Sequence, residues 1–259
     1  MKNISLFASA PLSLVLASAA TAATINYDIP VSVSDDTGSV FQNSGTQIFG
    51  MNIGNGGATT STINGVYFNS GGLNKATDTQ VLTQNGLTVT MTATNSGAEQ
   101  ITAQAVGFYT NTSSSDEVFD ILNAGYMSSG GGGITLDFSG LSIGQEYRVQ
   151  TYHLINTGDE KTREMYFSGG DGADSSVFQQ TYTGGTEVGN ISNAVTRTFT
   201  FTADAATLSV DLLGLNESGG LDRVYLSGIS VHSIPEPSSA AMLMGALCIT
   251  TVMTLRRRR

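Results

Sequence analysis

Val81-Leu82-Thr83-Gln84-Asn85-Gly86-Leu87-Thr88-Val89-Thr90-Met91-Thr92-Ala93 holds two apolar–polar alternations joined by Asn-Gly. A strand turns successive side chains to opposite faces. Leu87, Val89 and Met91 therefore share one face, and Thr88, Thr90 and Thr92 the other. Gly tolerates positive φ because it lacks a Cβ, and Asn-Gly is the favoured pair for a two-residue hairpin turn. The stretch predicts a β-hairpin with an apolar face for a core and a threonine face for solvent.

The same pattern runs outward in both directions. Upstream, Thr24 to Val33, Ser39 to Asn43 and Gln47 to Met51 read as strands, and Ser61 to Asn69 as a second hairpin about Asn64-Gly65. Downstream, strands are expected at Ile101 to Tyr109, Ile134 to Phe138, Glu146 to Ile155 and Arg163 to Phe167. Val177 to Tyr182, Val195 to Thr202, Ala206 to Leu213 and Arg223 to His232 complete the set. One short helix is expected from Ser114, where Ser114 and Glu117 fit a capping box ahead of Val118, Ile121 and Leu122. Glycine, at 31 of 259 residues, exceeds its roughly 7% average usage. The predicted fold is all-β: a two-sheet β-sandwich of jelly-roll type, built from short strands and Gly-rich turns.

The termini read differently from this body. Met1-Lys2-Asn3, an apolar Ile4 to Leu16 and the small residues Ala17 to Ala23 form a secretory signal, with cleavage expected after Ala22 or alternatively Ala19. At the other end, Ser238 to Leu255 carries no charge and Arg256, Arg257, Arg258 and Arg259 follow. Eighteen helical residues span about 27 Å, enough for a bilayer core. The arginines should stay on the cytoplasmic side. The domain plan is thus a signal at 1–22, a β-sandwich body at 23–232 and a tail at 233–259.

That tail, Ser233-Ile234-Pro235-Glu236-Pro237 followed by the uncharged run and the arginines, resembles the PEP-CTERM sorting signal of Gram-negative bacteria. The resemblance implies recognition of Pro235, Glu236 and Pro237 by exosortase, a membrane protease-transpeptidase, after signal peptidase has acted. It implies an exported protein, anchored by its C-terminal helix before processing and then held in the cell envelope or extracellular matrix. An ordinary C-terminal anchor behind a Pro-rich stalk is the other reading. Within the body, Thr135-Leu136-Asp137-Phe138-Ser139-Gly140-Leu141, Gly144-Gln145-Glu146-Tyr147-Arg148-Val149-Gln150 and Phe199 through Ile229 resemble segments of galactose-binding-like and malectin-like jelly rolls. This implies the fold, and a carbohydrate as one class of ligand.

Charge narrows the function. Six basic and twenty acidic residues fall between the signal and the tail, a net of −14. Such a surface argues against nucleic acid and against docking on anionic lipid. The single cysteine, Cys248, lies in the apolar run, so no intramolecular disulfide braces the body and a cysteine zinc site is excluded.

Gly140-Leu141-Ser142-Ile143-Gly144 matches the Gly-x-Ser-x-Gly string of α/β-hydrolases. That chemistry needs a helix after the serine, whereas a strand is expected here, so the string reads as a turn. His153 and His232 read as strand-end or surface histidines, with no spacing that completes a triad. Asp35-Asp36 sits in an early turn, and Asp159, Glu160 and Glu164 read as one acidic loop. Asp171 and Asp174 offer hard oxygen ligands for Ca²⁺ on a Gly-rich loop, or are solvated turn acids. For sugar stacking the chain has no Trp, and Tyr67, Tyr109, Tyr126, Tyr152 and Tyr182 are the candidates, against a packing role for each. Two function classes stay open: a non-catalytic surface or matrix protein binding carbohydrate, or a secreted hydrolase acting on polysaccharide.

Overall fold

A computed structural model describes residues 23–32, 41–53, 60–70, 79–93, 101–105, 124–128, 132–153, 161–170, 174–182, 195–216, 218–222 and 224–235. Among them the order is β1 Ile25–Tyr27, β2 Val31–Ser32, β3 Thr46–Asn52, β4 Ser61–Ile63, β5 Val66–Ser70, β6 Thr79–Gln84 and β7 Leu87–Ala93. There follow β8 Ile101–Ala105, β9 Ala124–Ser128, β10 Gly133–Ser139, β11 Glu146–His153, β12 Lys161–Gly169 and β13 Phe178–Tyr182. The last are β14 Val195–Thr202, β15 Thr207–Leu215, β16 Leu221–Asp222, β17 Tyr225–Leu226 and β18 Gly228–Ile234.

Two large sheets result. The eight-stranded sheet runs β1-β14-β11-β18-β3-β5-β4 with β2 also on β14, and the seven-stranded sheet runs β13-β12-β15-β10-β7-β6 with β16 also on β15. Their inward faces supply one core, with Val149, Phe199, Phe201, Ile229, Val231 and Phe49 from the first and Val89, Met91, Leu136, Phe138, Phe167 and Leu212 from the second. This is the all-β sandwich expected. A parallel pairing of β3 with β5 departs from an otherwise antiparallel arrangement.

The Asn64-Gly65 and Asn85-Gly86 dipeptides make the expected turns. Asn64 and Gly65 have φ of 47° and 79°, and Asn85 and Gly86 have 49° and 84°. Positive φ at both central residues is the type I′ turn, whose twist matches the flanking strands. Leu87, Val89 and Met91 are buried, as predicted. The Gly140–Gln145 turn then packs on this hairpin so closely that a Cβ on Gly140 would collide with the Gly86 carbonyl oxygen.

Two expectations are corrected and one strand is added. The Thr24–Val33 strand is broken into β1 and β2 at Pro30, which has no N–H to give a ladder. The Ser39–Asn43 strand is not formed over its described part, 41–43. There the backbone bonds to side chains instead: the Gln42 N–H donates to Gln150 Oε1 at 3.0 Å, and Asn64 Nδ2 donates to the Phe41 carbonyl at 2.8 Å. β9 is an addition, since its Ala-Gly-rich sequence carries no strand signal. The helix expected from Ser114 and the two terminal segments lie outside the described residues, apart from 233–235. Among the described residues no helix is long and apolar enough to cross a membrane.

The reason for the irregular 41–44 segment is a second, smaller core on the outer face of the eight-stranded sheet. The Phe41 ring stacks on Tyr152 at 4.6 Å, and Phe68 meets Tyr152 edge-on at 5.3 Å. Ile63, Val66, Phe41, Phe68 and Tyr152 are all buried. Gln47 ties the β4–β5 hairpin down by accepting from the Tyr67 N–H at 2.8 Å and donating to the Tyr67 carbonyl. Part of this sheet's outer face is therefore covered by the chain itself.

Two glycines separate strain from clash. Gly140 (φ 89°) and Gly144 (φ 86°) share a left-handed backbone, but only Gly140 has a neighbour within 4 Å of the place a methyl group would take. Gly144→Ala should cost about 1–2 kcal/mol from backbone strain alone. Gly140→Ala should cost more, about 3 kcal/mol, because a backbone carbonyl must also move. Urea midpoints at constant slope check the order of the two.

Candidate functional site

The outer face of the seven-stranded sheet is built from the polar halves of the alternations that make the core. Cross-strand register sets them in ranks. Thr79, Thr92, Thr135 and Asp211 lie side by side, followed by Val81, Thr90, Asp137 and Ser209, then Thr83, Thr88, Ser139 and Thr207. On the next strand Ser168 stands beside Asp211, and Tyr166 beside Leu213. All of these are exposed or half-buried. Neighbouring ranks recur about every 7 Å along the strands and about 4.8 Å across them.

The hydroxyls are held in place by one another. Thr83 and Thr88 bond at 2.9 Å, Thr79 and Thr92 at 3.4 Å, and Thr135 Oγ1 donates to Asp211 Oδ1 at 2.5 Å. β-Branched threonines restrict their own χ1, so the face presents ordered donors and acceptors at little entropic cost. The carboxylates of Asp137, Asp211 and Glu164, the Tyr166 phenol and many hydroxyls can exchange hydrogen bonds with a polyhydroxylated ligand. Tyr166 was not among the tyrosines singled out from sequence; its place opposite Leu213 depends on register.

The singled-out residues are scattered. Ser142 is exposed in a turn that leads into β11, with its N–H donating to the Tyr147 hydroxyl at 2.8 Å, so the Gly-x-Ser-x-Gly string is a turn and not a nucleophile elbow. Tyr67 is exposed on the β4–β5 hairpin, and Tyr152 is fully buried in the second core. Tyr109 lies outside the described residues, and the side chains of Tyr126 and Tyr182 do too. Glu164 belongs to β12 and not to a loop, because Glu164, Tyr166 and Ser168 alternate with the buried Met165 and Phe167. Asp174 is exposed. Asp171, Asp35, Asp36, Asp159 and Glu160 fall outside the described residues, as do Glu236, Pro237 and the four terminal arginines. Among the described residues no three His, Cys, Asp or Glu side chains converge as a metal site.

Neither histidine is at the surface. His153 does end β11, but its ring is buried toward the core, 6.1 Å from Phe167. A carbonyl only accepts, so Nδ1 carries the proton and donates to the Tyr225 carbonyl at 2.6 Å, leaving Nε2 to accept from the Thr151 hydroxyl at 2.7 Å. Burial holds this histidine neutral and pushes its pKa down to about 4. His232 is buried on the opposite side of the sheet, beyond a bulge in the β18–β3 pairing. Burial first, and the nearby Arg148 guanidinium second, lower its pKa. Arg197, buried between Val195 and Phe199 on the inward side of β14, was not flagged from sequence. It donates to the Ser176 hydroxyl at 3.0 Å. Burial lowers its pKa while Asp28 and Tyr27 oppose the shift. A cation at an inward position of a clean alternation was the available signal.

No protein-family model and no curated protein matches the chain. Among solved structures it is similar to the plant receptor-like kinase ANX1, at 10% identity and a TM-score of 0.44, over 73% of this chain and 49% of that one. It is similar to the ANX2 ectodomain from Arabidopsis thaliana at 12% identity and a TM-score of 0.40, over 74% and 50%. TmCBM61, solved in complex with beta-1,4-galactotriose, matches at 11% identity and a TM-score of 0.19, over 53% of this chain and 86% of that one. The chain spans about half the length of the two plant structures.

His153 makes stability depend on pH. Its folded pKa of about 4 lies below the ordinary 6.5, so the unfolded chain binds more protons between these values. Its contribution is complete above pH 6.5 and is lost as pH falls toward 4, at most roughly 3 kcal/mol. Urea unfolding at pH 7 and pH 4.5 should show this loss in the wild type and a smaller one in His153→Gln.

Proposed function

We propose that the chain is an exported surface protein whose body binds neutral polysaccharide without catalysis, through the open face of the seven-stranded sheet. The observation that carries this reading is the pair of ordered ranks, Thr92, Thr135 and Asp211 beside Thr90, Asp137 and Ser209, exposed or half-buried on the outer sheet face. The jelly-roll character read from the 135–150 segment agrees with it. So does the acidic body, which would repel polymers of its own sign.

Magnitudes suggest a weak, repeated interaction. Each hydrogen bond exchanged with water is worth only about 0.5–1.5 kcal/mol net. A few such bonds plus contact with Tyr166, set against the cost of association, correspond to a Kd of order 1 mM. Many tethered copies along one polymer would raise this by avidity. Such a mode fits a protein of the envelope or matrix better than a soluble scavenger.

The tail supports the matching address. Pro235 is exposed directly after β18. In this reading Pro235, Glu236 and Pro237 are recognised by exosortase after signal peptidase has released the N-terminus, while Arg256 to Arg259 hold the tail in the membrane. Asp171 and Asp174 remain a candidate calcium pair, to be checked by melting with and without chelator.

Affinity electrophoresis in gels containing neutral polysaccharides should retard the protein. Tyr166→Ala, and Asp137→Ala combined with Asp211→Ala, should each reduce the retardation several-fold. Release of new reducing ends would instead favour a hydrolase, and unchanged mobility across a broad polymer panel would leave the face merely solvated. For the address, intact mass of the mature native protein should end near Pro235 to Pro237 and lack the arginines. A full-length tail would reduce the signal to a plain anchor.

A further inference from the structure

The strand that leads into the tail is central in its sheet. β18 lies between β11 and β3 and is paired to its last residue, with Ile234 opposite Glu146. The exit is tied down: Gln145 Nε2 donates to the Ile234 carbonyl at 2.5 Å and to the Glu146 carbonyl at 2.9 Å. Only Pro235, Glu236 and Pro237 separate Ile234 from the uncharged run at Ser238. Three residues span at most about 11 Å.

The pole of the sandwich around Ile234 is built from turns. Register brings there the Asn85-Gly86 hairpin tip, the Gly140–Gln145 turn and the Ala203–Ala206 turn, since Ser139 pairs with Thr88 and Thr207, and Glu146 with Thr202 and Ile234. The latter two turns are bonded together, the Gly144 N–H donating to the Ala203 carbonyl at 2.7 Å and the Ala203 N–H to the Gln145 carbonyl at 3.0 Å. In a body of net charge −14, these three segments carry one charged side chain, Asp204, and the half-buried Glu146 borders them. Ile143, at the tip of its turn, is 71% exposed. The N-terminal strand also begins at this pole, because Ile25 pairs with Phe201.

We propose that this pole is a lipid-facing surface. With the tail in the bilayer, a premise that rests on the anchor reading above, the three turns lie on the headgroups and Ile143 enters the interface. The occupant is lipid because the short, fixed exit brings this pole to the bilayer. A nearly uncharged patch with one exposed isoleucine meets headgroups without the repulsion that the acidic flanks would meet at an anionic surface.

The test uses the full chain in phosphatidylcholine vesicles, with Cys248→Ser removing the one native thiol. Fluorophores are placed by Ile143→Cys, by Ala206→Cys, which keeps Ile143, and by Ser218→Cys in the turn after β15 at the opposite pole. Nitroxide-labelled lipid should quench the labels at 143 and 206 several-fold more than the label at 218, and aqueous iodide should show the reverse order. Equal quenching at all three positions in vesicles from which alkaline carbonate does not extract the protein would overturn the proposal and leave the anchor standing. Extraction by carbonate would remove the anchor reading and the proposal together.

Discussion

The Phe199 ring bridges the two sheets. It projects from the eight-stranded sheet, 5.5 Å from Phe167 and 6.4 Å from Phe138 of the seven-stranded one, with Phe201 6.4 Å away on its own strand. Tyr27 packs against both Phe199 and Phe167, at 5.8 and 6.2 Å. With the single cysteine in the tail, no disulfide can hold the layers together. Their union depends on apolar burial, to which tilted and edge-on aromatic pairs add about 0.5–1.5 kcal/mol each. Every strand that feeds this core must keep strict alternation, and that requirement generates the polar outer faces as its by-product.

The two outer faces then meet different fates. On the eight-stranded sheet, Tyr152 is too large and apolar to leave in water, and the chain folds Phe41 and the β4–β5 hairpin over it. Gln150 joins the layers by accepting from both the Gln42 N–H and the Tyr152 hydroxyl, at 3.0 and 2.7 Å. On the seven-stranded sheet the corresponding positions are mostly threonine, serine and aspartate, which have no hydrophobic demand to satisfy, while Val81, Tyr166 and Leu213 add some apolar surface. The difference between a packed face and an open one comes down to which residues occupy the outward positions of β11 and of β7, β10 and β15.

This also explains what could be read from the sequence. The hairpins at Asn64-Gly65 and Asn85-Gly86 were legible because a type I′ turn is a local demand on two residues. Leu87, Val89 and Met91 were legible because alternation is local too. Phe41 was misread as part of a strand, since its burial depends on Tyr152, far along the chain. His153 and His232 read as strand-end or surface histidines; His153 does end its strand, but both rings are buried. A histidine can be buried neutral once a carbonyl and a hydroxyl satisfy it, as the Tyr225 carbonyl and Thr151 do for His153. The threonine face was half legible: Thr88, Thr90 and Thr92 point outward by period alone. That Asp137, Asp211 and Tyr166 join them follows from strand order and register, which no single stretch encodes.

Strand direction relates the polar face to the proposed anchor. The exit at Ile234 is the end of a strand, so the pole it defines lies across the strands, and both sheet faces stand roughly at right angles to it. A protein tethered through a sheet edge or a face-covering loop could lay its binding face against the bilayer and lose it. If the tail anchors the body as proposed, tethering through the end of a central strand would stand the threonine face upright, open to polymer along the membrane. The short exit would limit tilting, because Gln145 holds Ile234 in the ladder up to the residue before Pro235. The cost of such an anchor would be reach: a body held within about 11 Å of a membrane would engage only polymer that approaches it. Release from the tail would lift that restriction while leaving the face unchanged, since none of its ranks includes a residue of β18.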